Sequence, residues 1–361
     1  MTQAEITLSV AGAPDLVERY RHSVGRRTLT IIVLAAAGIA AMLADLVVGS
    51  GTLNLHEVLQ GLFSPASADP TVRAVIWDIR GPITCAAALA GIQLALAGTL
   101  MQTALNNPLA EPLTIGISSA AGFGAALALV FGISFAAVIP WLPQELFVAV
   151  NAFLFALATV LAITLIASRA GLGVETVTLV GIAVHFTFNA LLAFSQYVAD
   201  PNQLQSLVFW LLGSLLRATW LKVSINAAVV AIVLPLLLMQ AWALTALRGF
   251  GDQAVVLGIR VERLRILMMV AAALLAGSAT ATIGIVGFIG LVAPHMARLL
   301  VGEDQRFSLL VTAACGMLVL TLASLASKLI LPGVILPIGM VTSLLGIPFF
   351  LALVLRGRRR G

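Results

Sequence analysis

Ile266-Leu-Met-Met-Val-Ala-Ala-Ala-Leu-Leu-Ala-Gly-Ser-Ala-Thr-Ala-Thr-Ile-Gly-Ile-Val-Gly-Phe-Ile-Gly-Leu-Val-Ala-Pro294 is apolar along its whole length, yet Gly284, Gly287 and Gly290 interrupt its second half. A helical pass through a bilayer takes about 20 residues, so this run is either one overlong span or two passes of which the second is short. Charge at the chain ends decides between them. The N-terminal tail carries Arg19, Arg21, Arg26 and Arg27, and the C-terminus carries Arg356, Arg358, Arg359 and Arg360. Basic segments stay on the cytoplasmic side, which places both ends there and requires an even number of crossings.

Counted by length alone the spans are odd in number. One apolar run begins at Leu29, and others cover about 82–104, 113–139, 146–168, 177–198, 221–247, 266–294, 308–331 and 335–355, nine in all. Splitting 266–294 ahead of a polar-basic turn at His295 and Arg298 gives ten. Fifteen of the 20 basic residues then fall on the cytoplasmic side, leaving only Arg73, Arg80, Arg217, Lys222 and Lys328 elsewhere. A short, glycine-broken pass is tolerated only where irregular backbone is buried in protein or faces a water-filled cavity, so the split also points to a pathway.

Composition agrees with a chain that is nearly all membrane. Of 361 residues, 61% are hydrophobic and 10% charged, against roughly a quarter charged in a soluble domain; a soluble enzyme is excluded. The net charge of +5 reads as topology and not as nucleic-acid binding. The expected fold is an all-α integral membrane protein of ten transmembrane helices with both termini cytoplasmic: a tail over 1–28, one ten-helix transmembrane domain over 29–355 and a basic tail over 356–361. No internal period or linker divides it.

Several chemistries are missing. With two lysines, Lys222 and Lys328, neither behind a glycine-rich loop, the chain has no phosphate-binding loop. It has no HExxH, GxSxG or paired carboxylates at helical spacing, and Cys85 and Cys315 lie in apolar runs without metal-ligand spacing. No catalytic residue and no metal site is expected. Asp45 is the one carboxylate clearly inside an apolar run; intramembrane carboxylates mark ion coupling, but its place near the outer end of the first span reads as interfacial. His185, with Asn189 one turn on, is read either as a packed, hydrogen-bonded histidine or as a pathway contact.

Two connections stand out. Asn106-Asn107-Pro108-Leu109-Ala110-Glu111-Pro112 has the prolines and amides of a stiff turn, suited to a constriction. Arg248-Gly-Phe-Gly-Asp-Gln-Ala-Val-Val-Leu-Gly-Ile-Arg260 is amphipathic and glycine-bounded, so it predicts a short helix-turn-helix on the membrane surface and a docking element.

Together with Arg80-Gly-Pro82, Gly91, Gly98, Gln102, Trp210, Gly213-Ser214, Gly287-Phe-Ile-Gly-Leu291, Pro294-His295 and Leu336-Pro-Ile-Gly339, these segments resemble the FecCD family, permease subunits of ATP-driven importers for ferric siderophores, haem and cobalamin. The resemblance runs from about Ile79 to Val354. It implies a second permease subunit, identical or not, two cytoplasmic ATPase subunits, an extracytoplasmic binding protein and residence in the bacterial cytoplasmic (inner) membrane. It also implies no cofactor on this chain, ATP and magnesium being used by the partner ATPase.

Residue by residue, the resemblance gives Asn107, Pro108 and Leu109 to a cytoplasmic gate, and Gly249, Asp252, Ala254, Leu257 and Gly258 to coupling with the ATPase. It gives Arg80 and Lys328 to docking of the binding protein, with charged heads in water at the outer face. Ile83, Asn106, Gln305 and Ser324 depart from charged positions common in the family, as in one half of a heterodimer. The rival from another class is a secondary transporter driven by an ion gradient, which needs a titratable group such as Asp45.

Overall fold

The computed structural model describes residues 13–49, 54–66, 68–139, 141–169, 173–331 and 333–357. Residues 1–12 of the expected N-terminal tail, and Arg358, Arg359 and Arg360 of the C-terminal one, lie outside them. Among the described residues the structure is helical, and its one strand-like feature is an isolated bridge between Leu331 and Val334.

The helices are α1 (Ala13–Val47), α2 (Leu55–Phe63), α3 (Pro70–Ala104), α4 (Ile117–Leu129), α5 (Phe147–Arg169), α6 (Val174–Val198) and α7 (Pro201–Leu211). They continue as α8 (Trp220–Met239), α9 (Ala241–Phe250), α10 (Val261–Ile283), α11 (Ile289–Val301), α12 (Gln305–Leu329) and α13 (Ile338–Gly357). Among the described residues seven helices are long and apolar enough to cross a membrane, and three shorter apolar ones cover Ile117–Leu129, Ile289–Val301 and Ile338–Pro348.

The run 266–294 does divide, at 284–288, where the first two of its interrupting glycines lie. Gly284 (φ +82°) ends α10 and Phe288 (φ +69°) starts α11. His295 and Arg298 therefore sit inside α11, not in a turn after Pro294, because α11 accommodates Pro294 and ends only at Gly302 (φ +80°). Two other runs are broken: 113–139 supplies α4 and a short 3-10 helix over Phe135–Val138, and 221–247 breaks at Gln240 into α8 and α9.

The link 284–288, with Gly284 and Val286 buried and the rest half-buried, lies where three chain segments cross. The Ile283 carbonyl accepts from the Ser214 N–H at 2.7 Å, and the N–H groups of Ile338 and Gly339 donate to the carbonyls of Gly213 and Leu212, each at 3.0 Å. A Cβ on Gly284 would lie 2.2 Å from the Trp210 carbonyl oxygen. Glycine permits the approach, and the approach satisfies backbone that lipid could not.

α3 is the axis. Its apolar window is 83% buried, against 17% for α6, and α10, α11 and α12 pack on it. The contact is backbone to backbone: a Cβ on Gly98 would lie 2.0 Å from the Gly290 carbonyl oxygen, and one on Gly91 2.2 Å from that of Gly316. Small residues at such crossings are how helices associate when lipid is as apolar as they are. Gly98→Val is expected to abolish recovery of folded protein, whereas Gly249→Ala, with open space around the added Cβ, leaves it unchanged; fluorescence-detected size exclusion of the detergent-extracted chain reads both.

The ends of the bundle are fixed by α1 and α12, which run side by side in the same direction: Arg27 meets Asp304 at one end and Asp45 meets Lys328 at the other. α3 runs opposite, with Thr84 beside Asp45 and Ala104 beside Arg265.

Candidate coupling and gating site

The turn expected to gate, 106–112, and the loop expected to dock, 248–260, lie at the same end and are joined by arginines. α3 stops at Leu105, where Asn106 takes a left-handed conformation (φ +43°) that asparagine tolerates. The Asn107 side chain then accepts from the Leu109 N–H at 2.9 Å, the Asx-turn that makes Asn107-Pro108-Leu109 stiff. Asn107 and Pro108 are exposed, as is Leu109.

The last carbonyls of α3 lack intrahelical donors. Arg248 Nη1 donates to the Gln102 carbonyl at 3.0 Å and Arg265 Nε to the Ala104 carbonyl at 2.9 Å, cations placed where the helix dipole is negative. Arg298 Nη1 donates to Gln102 Oε1 at 2.6 Å, and the Gln102 amide donates to the Gly290 carbonyl of α11 at 3.0 Å. Glu303 pairs with both Arg248 and Arg298, at 3.3 and 3.8 Å.

The docking loop closes the network. After α9 a 3-10 helix covers Gly251–Leu257, and Gly258 (φ +79°) turns the chain into α10. The surface helix-turn-helix expected from the sequence is thus a tight 3-10 turn between two longer helices. Ala254 is fully buried and anchors it, while Phe250, Val255, Val256 and Leu257 are exposed. Asp252 is held by Arg265 Nη2 at 2.8 Å. One buried guanidinium therefore touches both the docking loop and the last residue of α3, just ahead of the gate turn. Gly249 stands at the rim, beside a groove of about 800 Å³ bounded by Asn106, Trp242, Arg248 and Glu303.

Glu111 ends the gate turn. It is 5% exposed, and the Phe288 N–H at the start of α11 donates to its side chain. Burial pushes the carboxyl up from its ordinary 4.5 to about 7, the Phe288 hydrogen bond pulling the other way. The folded chain then holds a proton that the unfolded chain releases, so stability falls as pH rises from about 4.5 to about 7, by about 3 kcal/mol in all. Glu111→Gln, which keeps an acceptor for Phe288, is expected to flatten this dependence: thermal unfolding at pH 8 should come closer to that at pH 5 than in the parent chain.

At the opposite end the sequence expectation is corrected. Arg80 and Lys328 do not hold their heads in water. Arg80 is 4% exposed, its Nη1 donating to the carbonyls of Leu46 and Val47, each at 2.8 Å. Lys328 Nζ lies 2.8 Å from Asp45 Oδ1, with side chains 5% and 0% exposed, and Thr84 donates to Asp45 Oδ2. Asp45, two residues from the end of α1, is thus a fully buried ion-pair partner, because parallel α1 and α12 bring it level with Lys328. Beside this cluster a cavity of about 240 Å³ opens among Ile83, Ser214, Ser324 and Lys328.

His185 packs between α6 and α4. Its Nε2 meets the Asn189 amide at 2.8 Å and its Nδ1 meets the Ser119 hydroxyl at 3.3 Å, so the two candidate pathway residues are hydrogen-bonded to each other. On the same helix Leu179, Phe186, Phe194 and Tyr197 are exposed. Among the described residues no cluster of three or more His, Cys, Asp or Glu side chains could hold a metal.

Residues 34–356 match the model of the FecCD transport family. The chain belongs to that family. The match takes in both connections, the split run and the crossing at 284–288. This FecCD permease is 37% identical to the hemin transport system permease HmuU of Yersinia pestis, over 79% of this chain and 84% of that one. It is 36% identical to the ferric enterobactin permease FepD of Escherichia coli, over 90% and 94%. Its fold is similar to that of a solved transporter described as of the metal-chelate ABC type in an inward-facing conformation, with a TM-score of 0.78 at 26% identity, covering 91% of this chain and 99% of that one. The chain is therefore a membrane permease subunit of the ABC-importer family for siderophores, haem and vitamin B12, and its relatives are permease subunits and not enzymes. Of the coupling network, Arg265, Arg298, Glu303 and Glu111 were not singled out from the sequence as site residues; the only signal was that two of them, Arg265 and Glu111, flank the docking loop or lie in the gate turn.

Proposed function

We propose that this chain forms, with a second permease subunit, the conduit of an ATP-driven importer in the bacterial cytoplasmic membrane. It carries a ferric siderophore delivered by an extracytoplasmic binding protein. The chain crosses the membrane ten times, with both termini and the 248–265 loop cytoplasmic. Two ATPase subunits press on the exposed apolar surface of Phe250, Val255, Val256 and Leu257. Movement there passes through Arg265 to the end of α3 and so to the turn at Asn107, Pro108 and Leu109, which opens or closes the inner mouth.

The observation that carries this reading is the double attachment of Arg265, to Asp252 in the loop and to the Ala104 carbonyl at the gate. A siderophore is favoured by the ferric enterobactin permease among the relatives, with haem next and cobalamin third. ATP and magnesium belong to the partner subunits, and this chain binds no cofactor.

Topology is the test. In intact cells a single cysteine at position 253 should resist a membrane-impermeant maleimide and one at position 73 should react. External labelling at 253 with none at 73 would overturn the ten-span orientation.

A further inference from the structure

A second groove at the coupling end takes no part in the network above. It lies between α1 and the end of α11, encloses about 620 Å³, and is lined on its polar side by Ser23, Arg26, Arg27 and Thr30 and on its apolar side by Leu29 and Leu300. Its charge is unbalanced. Asp304 is shared between Arg27 at 3.3 Å and Arg306 at 2.7 Å, while Arg26, in the groove wall, has no carboxylate partner among the described residues. Arg27 is also held over the Phe307 ring, 5.3 Å from its centroid, and stays 29% exposed, a cation fixed in place before any ligand arrives.

The groove straddles the polar-to-apolar boundary of α1. Beyond it, Leu29, Ile32 and Val33 are 59%, 59% and 56% exposed, and Leu299 and Leu300 of α11 are 69% and 51% exposed. A free phosphate or nucleotide would use only the polar half. A ligand with an anionic head and an acyl chain would use both, and basic pockets between helices on the cytoplasmic side are where such headgroups are held.

We propose that this groove binds an anionic phospholipid, its phosphate between Arg26 and Arg27 with the Ser23 hydroxyl donating, and its acyl chain along Leu29 and Leu300. The site is on the same end as the docking loop, so the lipid stands in the leaflet that the ATPase subunits face.

The test uses the full chain assembled with its ATPase subunits in neutral detergent, with palmitoyl-oleoyl phosphatidylglycerol or the phosphatidylcholine of the same chains added, and native mass spectrometry to count retained lipid. The phosphatidylglycerol should be retained in preference, and Arg26→Gln should lower its retention about five-fold, while Arg73→Gln, exposed at the other end, leaves it unchanged. Glycerol phosphate at equal concentration should not displace it. Equal retention of the two lipids, no effect of Arg26→Gln, or displacement by glycerol phosphate would each overturn the proposal. So would loss of the ATPase subunits from Arg26→Gln with lipid retention intact, which would give the groove to a protein partner.

Discussion

Arg265→Ala is expected to lower ATP-driven uptake about ten-fold or more in the assembled importer, while hydrolysis by the partner subunits stays within about two-fold of the parent. Arg265 makes two charge-assisted contacts, one to Asp252 at 2.8 Å and one to the Ala104 carbonyl at 2.9 Å. Hydrogen bonds to charged groups contribute about 1.5–3 kcal/mol each, so losing both removes enough coupling energy for a ten-fold effect. Hydrolysis does not need either contact, because the exposed apolar surface of the loop remains. Two companions act on the same link. Asp252→Arg sets two cations against each other, and Gly258→Pro demands a φ near −65° where the chain has +79°. Uptake and hydrolysis measured on the same proteoliposomes separate uncoupling from misassembly; undiminished uptake in all three variants would remove this loop from the mechanism.

Lys328→Met is expected to destabilise the chain by about 3–5 kcal/mol, since it leaves the Asp45 carboxylate buried without its cation. The companion double variant Asp45→Asn with Lys328→Met should recover most of that loss, because a neutral amide can still bond Thr84 and needs no counter-charge. Thermal unfolding of the four members of the cycle gives the pair energy directly. If Lys328→Met alone is as stable as the parent, the ion pair does not hold α1 to α12, and the outward-facing role expected from the sequence regains its ground.

That contrast shows where the sequence stops being readable. Parity of the basic ends correctly demanded a break in 266–294, because charge sidedness and span length are local properties. The glycines at 284 and 287 marked the place of the break, but the end of the second helix was not legible: α11 runs on through Pro294, His295 and Arg298 to Gly302, and nothing in the local pattern distinguishes that from a turn after Pro294. Asn107 and the glycine-bounded loop were legible as stiff connections, since their turn chemistry is written in adjacent residues. Arg265, Arg248 and Gln102 entered the sequence reading as topology markers or family positions, because what makes them a network is the end of α3, more than 140 residues away in the chain for either arginine. Arg80 and Lys328 were misplaced for the same reason. Each looked like a boundary charge alone, but the parallel course of α1 and α12 pairs Lys328 with Asp45 inside the protein, and Arg80 is buried against the carbonyls of Leu46 and Val47.

The central claim is that this FecCD permease moves substrate through force applied by partner ATPases at the 248–258 loop. Uptake of a ferric siderophore into proteoliposomes tests it most directly, with the chain reconstituted alone or with its ATPase and binding-protein partners, with and without ATP, and with a proton or sodium gradient imposed or collapsed. Accumulation should require all partners and ATP, and should be indifferent to ionophores. Accumulation by the chain alone under an ion gradient, abolished by Asp45→Asn, would contradict the account and leave the secondary transporter in its place.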